Sequence, residues 1–212
     1  MKPLRFAFFG AGFWAPFQLA AWRELEGVEC VAIFNRTRAK AEKLAAQFGI
    51  PAVYDDPGEL LCREQLDFLD IATGNETHER FVLLAAGRRL PVICQKPMAL
   101  EPGACERMIQ ACARADIPFL VHENFRWQDP MRRIRDLLAA GAIGRPFRAH
   151  LQFSHGQIDW FETQPFLFTL PHFALYDMGP HLLDLARFFF GDPVVLFARE
   201  FHLHPRLTGE DI

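Results

Sequence analysis

The chain has 212 residues, which at roughly 100–200 residues per domain allows one ordinary domain or two small ones and excludes a larger assembly. Half of the residues are hydrophobic, 23% are charged and 13% are aromatic, a balance that supplies a core and excludes a disordered chain. Lys and Arg total 23 against 26 for Asp and Glu, a net charge of -3, so no basic excess is available for a phosphate backbone and nucleic acid is not expected as a partner.

Lys2 and Arg5 precede a charge-free run from Phe6 to Trp22 that imitates the basic and apolar regions of a secretory signal. Gly10, Gly12 and Pro16 interrupt the run, and it is shorter than the ~20 residues of a membrane span. It divides instead into a strand at Leu4–Phe9, a glycine turn and a helix from Phe17 to Leu25, and no membrane association is expected. Val28–Phe34 is a second apolar strand, and Ala39–Phe48 carries Ala41, Leu44, Ala45 and Phe48 at helical spacing before Gly49. Phe68–Ala72, Pro91–Cys94 and Pro118–Val121 read as further strands, with helices at Glu76–Ala86 and Pro102–Ala115. Such alternation predicts an α/β fold, a parallel sheet with helices on both faces.

After about Asn124 the rhythm changes, which predicts one domain over 1–124 and a second over 125–212. Asp129 as N-cap and Pro130 in the first turn open a helix that runs to Gly141. Phe147–Phe153 and Val194–Phe201 read as strands, Gln157–Phe173 as aromatic and irregular, and Pro180–Phe190 as a helix ended by Gly191. The five cysteines (Cys30, Cys62, Cys94, Cys105, Cys112) are odd in number and widely spread, which predicts a reducing, cytoplasmic setting rather than a disulfide framework.

The chemistry-bearing residues start at Gly10-Ala11-Gly12-Phe13-Trp14-Ala15, which matches G-x-G-x-x-A between a strand and its helix. Gly10 permits the tight turn, Gly12 lets backbone approach a pyrophosphate, and Ala15 lets helix and sheet pack closely, with the helix N-terminus facing the phosphates. At the end of the second strand, Asn35-Arg36-Thr37-Arg38 offers two arginines and no acid. Arg36 and Arg38 match the 2′-phosphate of NADP, favouring it over NAD; the alternative is that both solvate a helix end. Lys96, in Gln95-Lys96-Pro97, follows a strand at the edge where open α/β sheets bind ligands, or is a plain loop lysine. Asp177, His181 and Asp184 share one face if the late helix already includes Asp177, giving acid/base equipment or a structural His–Asp pair. His202 and His204 lack a third ligand in register, so no metal is expected. Trp127, Trp160, Phe161, Phe166, Phe168 and Phe173 could line a pocket, but aromatic residues at such density are more often core or subunit interface.

Taken together, GAGFWA, Thr73-Gly74-Asn75-Glu76-Thr77-His78, QKP, Asn124-Phe125-Arg126-Trp127 and DMGPHLLD resemble the Gfo/Idh/MocA family of NAD(P)-dependent oxidoreductases, over essentially the whole chain. The resemblance implies a doubly wound Rossmann domain followed by a partial α+β substrate domain with an open-faced sheet, and hydride exchange between NADP or NAD and a secondary alcohol or carbonyl of a sugar, cyclitol or related polyol. By resemblance Lys96 positions the reacting oxygen, His181 takes the hydroxyl proton and Asp177 holds the substrate and the histidine. Gly10, Gly12, Phe13, Trp14, Asn35, Arg36, Arg38, Thr73, Asn75, His78 and Lys96 contact the cofactor, and Arg126 reaches the substrate. Gln95 replaces the family's glutamate, and the usual proline of the Thr73 segment is Gly74 or Asn75. Family members continue past Gly209-Glu210-Asp211, so the resemblance implies a shortened chain whose pocket is incomplete, and a homo-oligomer where the sheet is present. The alternative is a non-catalytic regulator of the same fold that senses NAD(P) or a sugar; a methyltransferase would leave the lysine and histidine unexplained.

Overall fold

The computed structural model describes residues 2–154 and 158–212, with backbone alone for 158–160. Gln157 and the Trp160 side chain, both singled out in the sequence, lie outside the described residues. Contacts separate two compact units, Met1–His122 and Glu123–Ile212.

The first unit alternates strand and helix: β1 (Leu4–Phe9), α1 (Ala15–Arg23), β2 (Val28–Phe34), α2 (Arg38–Phe48), β3 (Ala52–Tyr54), α3 (Pro57–Arg63), β4 (Phe68–Ile71), α4 (His78–Ala86), β5 (Val92–Gln95), α5 (Pro102–Ala115) and β6 (Phe119–His122). All pairings are parallel, in the order β3-β2-β1-β4-β5-β6, the doubly wound Rossmann arrangement. Alternating side chains of β1 feed two cores, as the two-residue strand period requires: Phe6 and Phe8 pack with Leu19, Ala41 and Leu44, while Ala7 and Phe9 pack with Leu60, Phe81, Val82 and Met108. Both faces of β1 are therefore covered from Phe6 to Phe9, which is why that stretch is apolar without alternation.

β3 and α3 are absent from the sequence expectation. At three and seven residues they are too short to show a period, although Asp56 followed by Pro57 is a legible start signal; the Asp56 carboxylate accepts from Glu59 N at 2.6 Å. α2 ends where expected, with Gly49 in the left-handed region at φ 71.

The second unit holds α6 (Asp129–Ala139), α7 (Phe173–Asp177), α8 (Gly179–Phe190) and short 3-10 turns at Phe125–Trp127, Ile158–Thr163 and Pro165–Thr169. Three expectations are corrected here. The N-cap of α6 is Gln128, with Asp129 already in the first turn. Phe147–Phe153 and Val194–Phe201 are not strands; among the described residues the second unit has none. A strand is defined by its ladder partner, and among the described residues neither stretch forms a ladder; Phe201, at the end of the second, exchanges backbone hydrogen bonds with Asp211 and Ile212. Phe147 and Val194 are each 98% exposed. The open-faced sheet is thus not formed among the described residues. The aromatic set divides: Phe161 and Phe173 are buried and meet edge to face at 5.2 Å, whereas Trp127 and Phe166 are exposed.

Candidate functional site

The turn between β1 and α1 has two glycines with different work. Gly10 sits at φ 124, and a Cβ there would lie 2.4 Å from the carbonyl oxygen of Ala72, just after β4, so glycine is required by both backbone and neighbour. Gly12 has nothing within 4 Å of a Cβ position, leaving open space beside its backbone. No side chain caps α1 at Trp14; Ala15 N donates to Gly12 O at 3.3 Å and Phe17 N to Trp14 O at 3.1 Å, and Pro16 has no N–H, so what the start of α1 offers an anion is chiefly the positive end of its dipole. Ala15 is fully buried, as close helix–sheet packing demands. These features fit a dinucleotide pyrophosphate; Phe13 and Trp14 are partly exposed beside them. The turn lies at the β1/β4 point where strand order reverses, the place where open α/β sheets hold ligands.

At the end of β2 the Asn35 amide donates to Thr37 O at 2.9 Å. Arg38 is engaged with Glu42 at 2.9 Å and Asp55 at 3.8 Å. Arg36 is exposed. After β4, Thr73 and Asn75 are half-buried, and the Thr77 hydroxyl donates to Gly74 O at 2.7 Å. His78 is 1% exposed, with Nε2 3.1 Å from Thr73 O and Nδ1 3.1 and 3.2 Å from Pro97 O and Met98 O. Burial pushes its pKa below the ordinary histidine range against the pull of these carbonyls. At that burial His78 ties the Thr73 turn to the loop after Lys96, rather than offering its ring to a ligand.

Lys96 is half-buried just beyond β5. Its backbone N–H donates to Gln95 Oε1 at 2.9 Å, and its peptide bond to Pro97 is cis.

In the second unit Glu123 and His181 are 8% and 4% exposed, and the Glu123 carboxylate bonds His181 Nδ1. The imidazole stacks on Phe125 with centroids 3.9 Å apart. A carboxylate on Nδ1–H fixes the tautomer and leaves Nε2 as the proton acceptor. Asp177 is not in one helix with His181: it closes α7, and α8 starts anew at Gly179. The expected common face of Asp177, His181 and Asp184 is therefore confined to His181 and Asp184. Arg126 bonds the Asp184 carboxylate through Nε at 2.7 Å and through Nη2, and lies over the Phe188 ring at 5.3 Å. That carboxylate holds the guanidinium pKa above its usual value, so the arginine is committed to α8. Glu123 escaped sequence reasoning. Its available signal is position, immediately after β6 at the carboxyl edge of the sheet.

The His202 and His204 segment is not a strand; His202 Nε2 lies 3.0 Å from His204 O. His172, Glu200 and Glu210 do approach within 4.8 Å of one another, as a hydrogen-bonded set in which Glu210 Oε1 accepts from Leu175 N at 3.0 Å. Among the described residues no helix is long and apolar enough to cross a membrane.

Comparison with known proteins gives two family matches: "Oxidoreductase family, NAD-binding Rossmann fold" over residues 4–123 and "GFO/IDH/MocA C-terminal domain" over 131–212. D-apiose dehydrogenase of Rhizobium rhizogenes is 40% identical over 212 residues, 100% of this chain and 61% of the relative. D-apiose dehydrogenase of Paraburkholderia graminis is also 40% identical, over 100% of this chain and 56% of the relative. A solved oxidoreductase from Agrobacterium radiobacter in complex with NAD+, L-tartaric acid and magnesium superposes with a TM-score of 0.91 at 38% identity, covering 99% of this chain and 61% of its own. The chain therefore spans about three fifths of the relatives it matches.

Proposed function

The chain belongs to the GFO/IDH/MocA oxidoreductase family, and from that premise we propose that it serves hydride transfer between a nicotinamide nucleotide and a secondary alcohol or carbonyl of a sugar, cyclitol or related polyol. The observation that carries the proposal is the β1–α1 turn, open beside Gly12, without a side-chain cap on α1 and set at the reversal of strand order. The D-apiose relatives support a sugar as substrate class.

When bound, the nicotinamide supplies the hydride acceptor or donor. Gly10–Trp14 and the start of α1 would hold its pyrophosphate. In this proposal the Lys96 ammonium steadies negative charge on the reacting oxygen, His181 Nε2 takes the hydroxyl proton, and Glu123 holds the imidazole in the accepting tautomer. Asp177 remains the proposed substrate-holding carboxylate. Arg126, paired with Asp184, would act by shaping the α8 face. Exposed Arg36 is the proposed partner of a 2′-phosphate, which favours NADP over NAD, with Arg38 held by Glu42 and Asp55.

The test is fluorescence titration with NADPH and NADH, followed by a panel of sugars and polyols with the oxidised cofactors. Binding with turnover is expected. Lys96→Ala should abolish turnover while cofactor affinity stays within about tenfold, ~1.4 kcal/mol; equal loss of both would remove Lys96 from the chemistry. Arg36→Ala should level the NADPH preference, and an unchanged preference would take Arg36 out of the site. No nucleotide binding at all would overturn the role of the turn.

A further inference from the structure

Beneath Lys96 runs a chain of buried polar side chains, all within the first unit. Asp70 on β4 is fully buried, and Gln18 on α1 and Gln95 on β5 are 5% and 8% exposed. Gln18 Nε2 donates to both Asp70 carboxylate oxygens at 2.8 Å, and Trp22 Nε1 donates to Asp70 Oδ2 at 2.6 Å. Gln95 Nε2 donates to Gln18 Oε1 at 3.0 Å and lies 3.1 Å from His122 Nδ1. Gln95 Oε1 accepts from Lys96 N at 2.9 Å.

The two ends of this chain are groups that can only donate: a backbone N–H at Lys96 and an indole N–H at Trp22. Each amide between them must accept on one side and donate on the other, so the directions run in one sense only, from Lys96 toward Asp70. They close when Asp70 is purely an acceptor, that is, ionised. A protonated Asp70 must donate. Gln18 would then turn its oxygen to Asp70 and its amino group to Gln95, and Gln95 would turn in reply, setting its amino group against the Lys96 N–H. Two donors would face each other there, and the Lys96 N–H would lose its acceptor.

We propose that Asp70 is a positioning residue for Lys96: its ionised carboxylate orients the Gln18 and Gln95 amides so that Gln95 accepts from the Lys96 backbone, and its protonation reverses the chain and releases that contact. The consequence for catalysis rests on the proposed role of Lys96, but the orientation itself does not. Burial pushes Asp70 up to about 7 against the donors Trp22 and Gln18, which places the reversal near neutral pH. The other titratable groups around the chain are Cys30 on β2, Cys94 on β5 and His122 on β6. Burial first and Asp70 second raise both thiols, Cys30 to about 12, so they stay neutral across this range. His122 accepts from Gln95 on Nδ1 and is separated experimentally.

Selective 15N-lysine labelling of the full chain reports Lys2, Lys40, Lys43 and Lys96, with the Lys96 signal assigned by Lys96→Arg. Between pH 5.5 and 8.5 the Lys96 amide proton should move downfield with a midpoint near 7. Asp70→Asn, whose amide must also donate, should hold the signal at its low-pH position throughout. Trp22→Phe removes a donor that favours the ionised form and should move the midpoint upward, and this variant serves even if the first does not fold. A Lys96 amide that stays still across the range would overturn the proposal, as would a titration that persists in Asp70→Asn and so belongs to His122. Because the readout needs no turnover, a Lys96 amide that titrates in a chain without dehydrogenase activity would support the positioning and refute the proposed function separately.

Discussion

Glu123 shows what a single side chain adds to a histidine. With the carboxylate on Nδ1, His181 presents Nε2 as acceptor; a glutamine there can donate to Nδ1 instead and would shift the proton to Nε2, the wrong tautomer for a base. Glu123→Gln should therefore lower kcat by about 10²-fold, at the lower end of what general acid–base catalysis contributes, with cofactor affinity unchanged. A matching rise in KM with kcat intact would show that Glu123 shapes binding and not the proton transfer. His181 was legible in the sequence as a histidine flanked by acids, because its neighbours in the chain carry the signal. Glu123 was not, since its partner is 58 positions away and no local pattern reports a pair closed by the fold. Arg126 was named from the sequence, but its pairing with Asp184, on another helix, was hidden for the same reason.

At the scale of elements, the glycine turn separates conformation from binding. Gly10→Ala places a methyl group 2.4 Å from a backbone oxygen at φ 124, where neither side can yield cheaply. Strain and overpacking together should cost about 2–5 kcal/mol, read by urea unfolding. Gly12→Ala meets nothing within 4 Å and should leave stability within about 1 kcal/mol while filling the space where a pyrophosphate would approach, so NADPH affinity falls. Equal destabilisation by both variants would refute this division of labour. Strands such as Val28–Phe34 were readable because the stretch Val31–Phe34 is apolar without a break and buried on both faces. Phe147–Phe153 and Val194–Phe201 have strand-like composition too, but composition encodes only a capacity to pair. Among the described residues no partner strand is present to realise it.

For the whole molecule, the buried chain that orders Lys96 carries a stability cost with a defined sign. Asp70 rises from its ordinary 3.8 to about 7, so between those values the native state binds a proton that the unfolded chain has lost. Its contribution is complete below 3.8 and disappears as pH rises to about 7, on the order of 4 kcal/mol over the full span. His78 works oppositely: with its pKa lowered by burial, its contribution is present above the ordinary histidine value and is lost as pH falls through the lower native value. Asp70→Asn removes only the first of these. Between pH 5 and pH 8 the wild-type chain should lose about 2–3 kcal/mol of unfolding free energy relative to Asp70→Asn, measured by urea denaturation at both pH values, whatever the variant's absolute stability. Parallel pH dependences for the two proteins would show that Asp70 titrates near its ordinary value. In that case the carboxylate is ionised throughout the neutral range and the Gln18–Gln95 chain has one orientation. A divergence of the expected sign would mean that the molecule accepts a less stable core at neutral pH in exchange for a fixed backbone at Lys96.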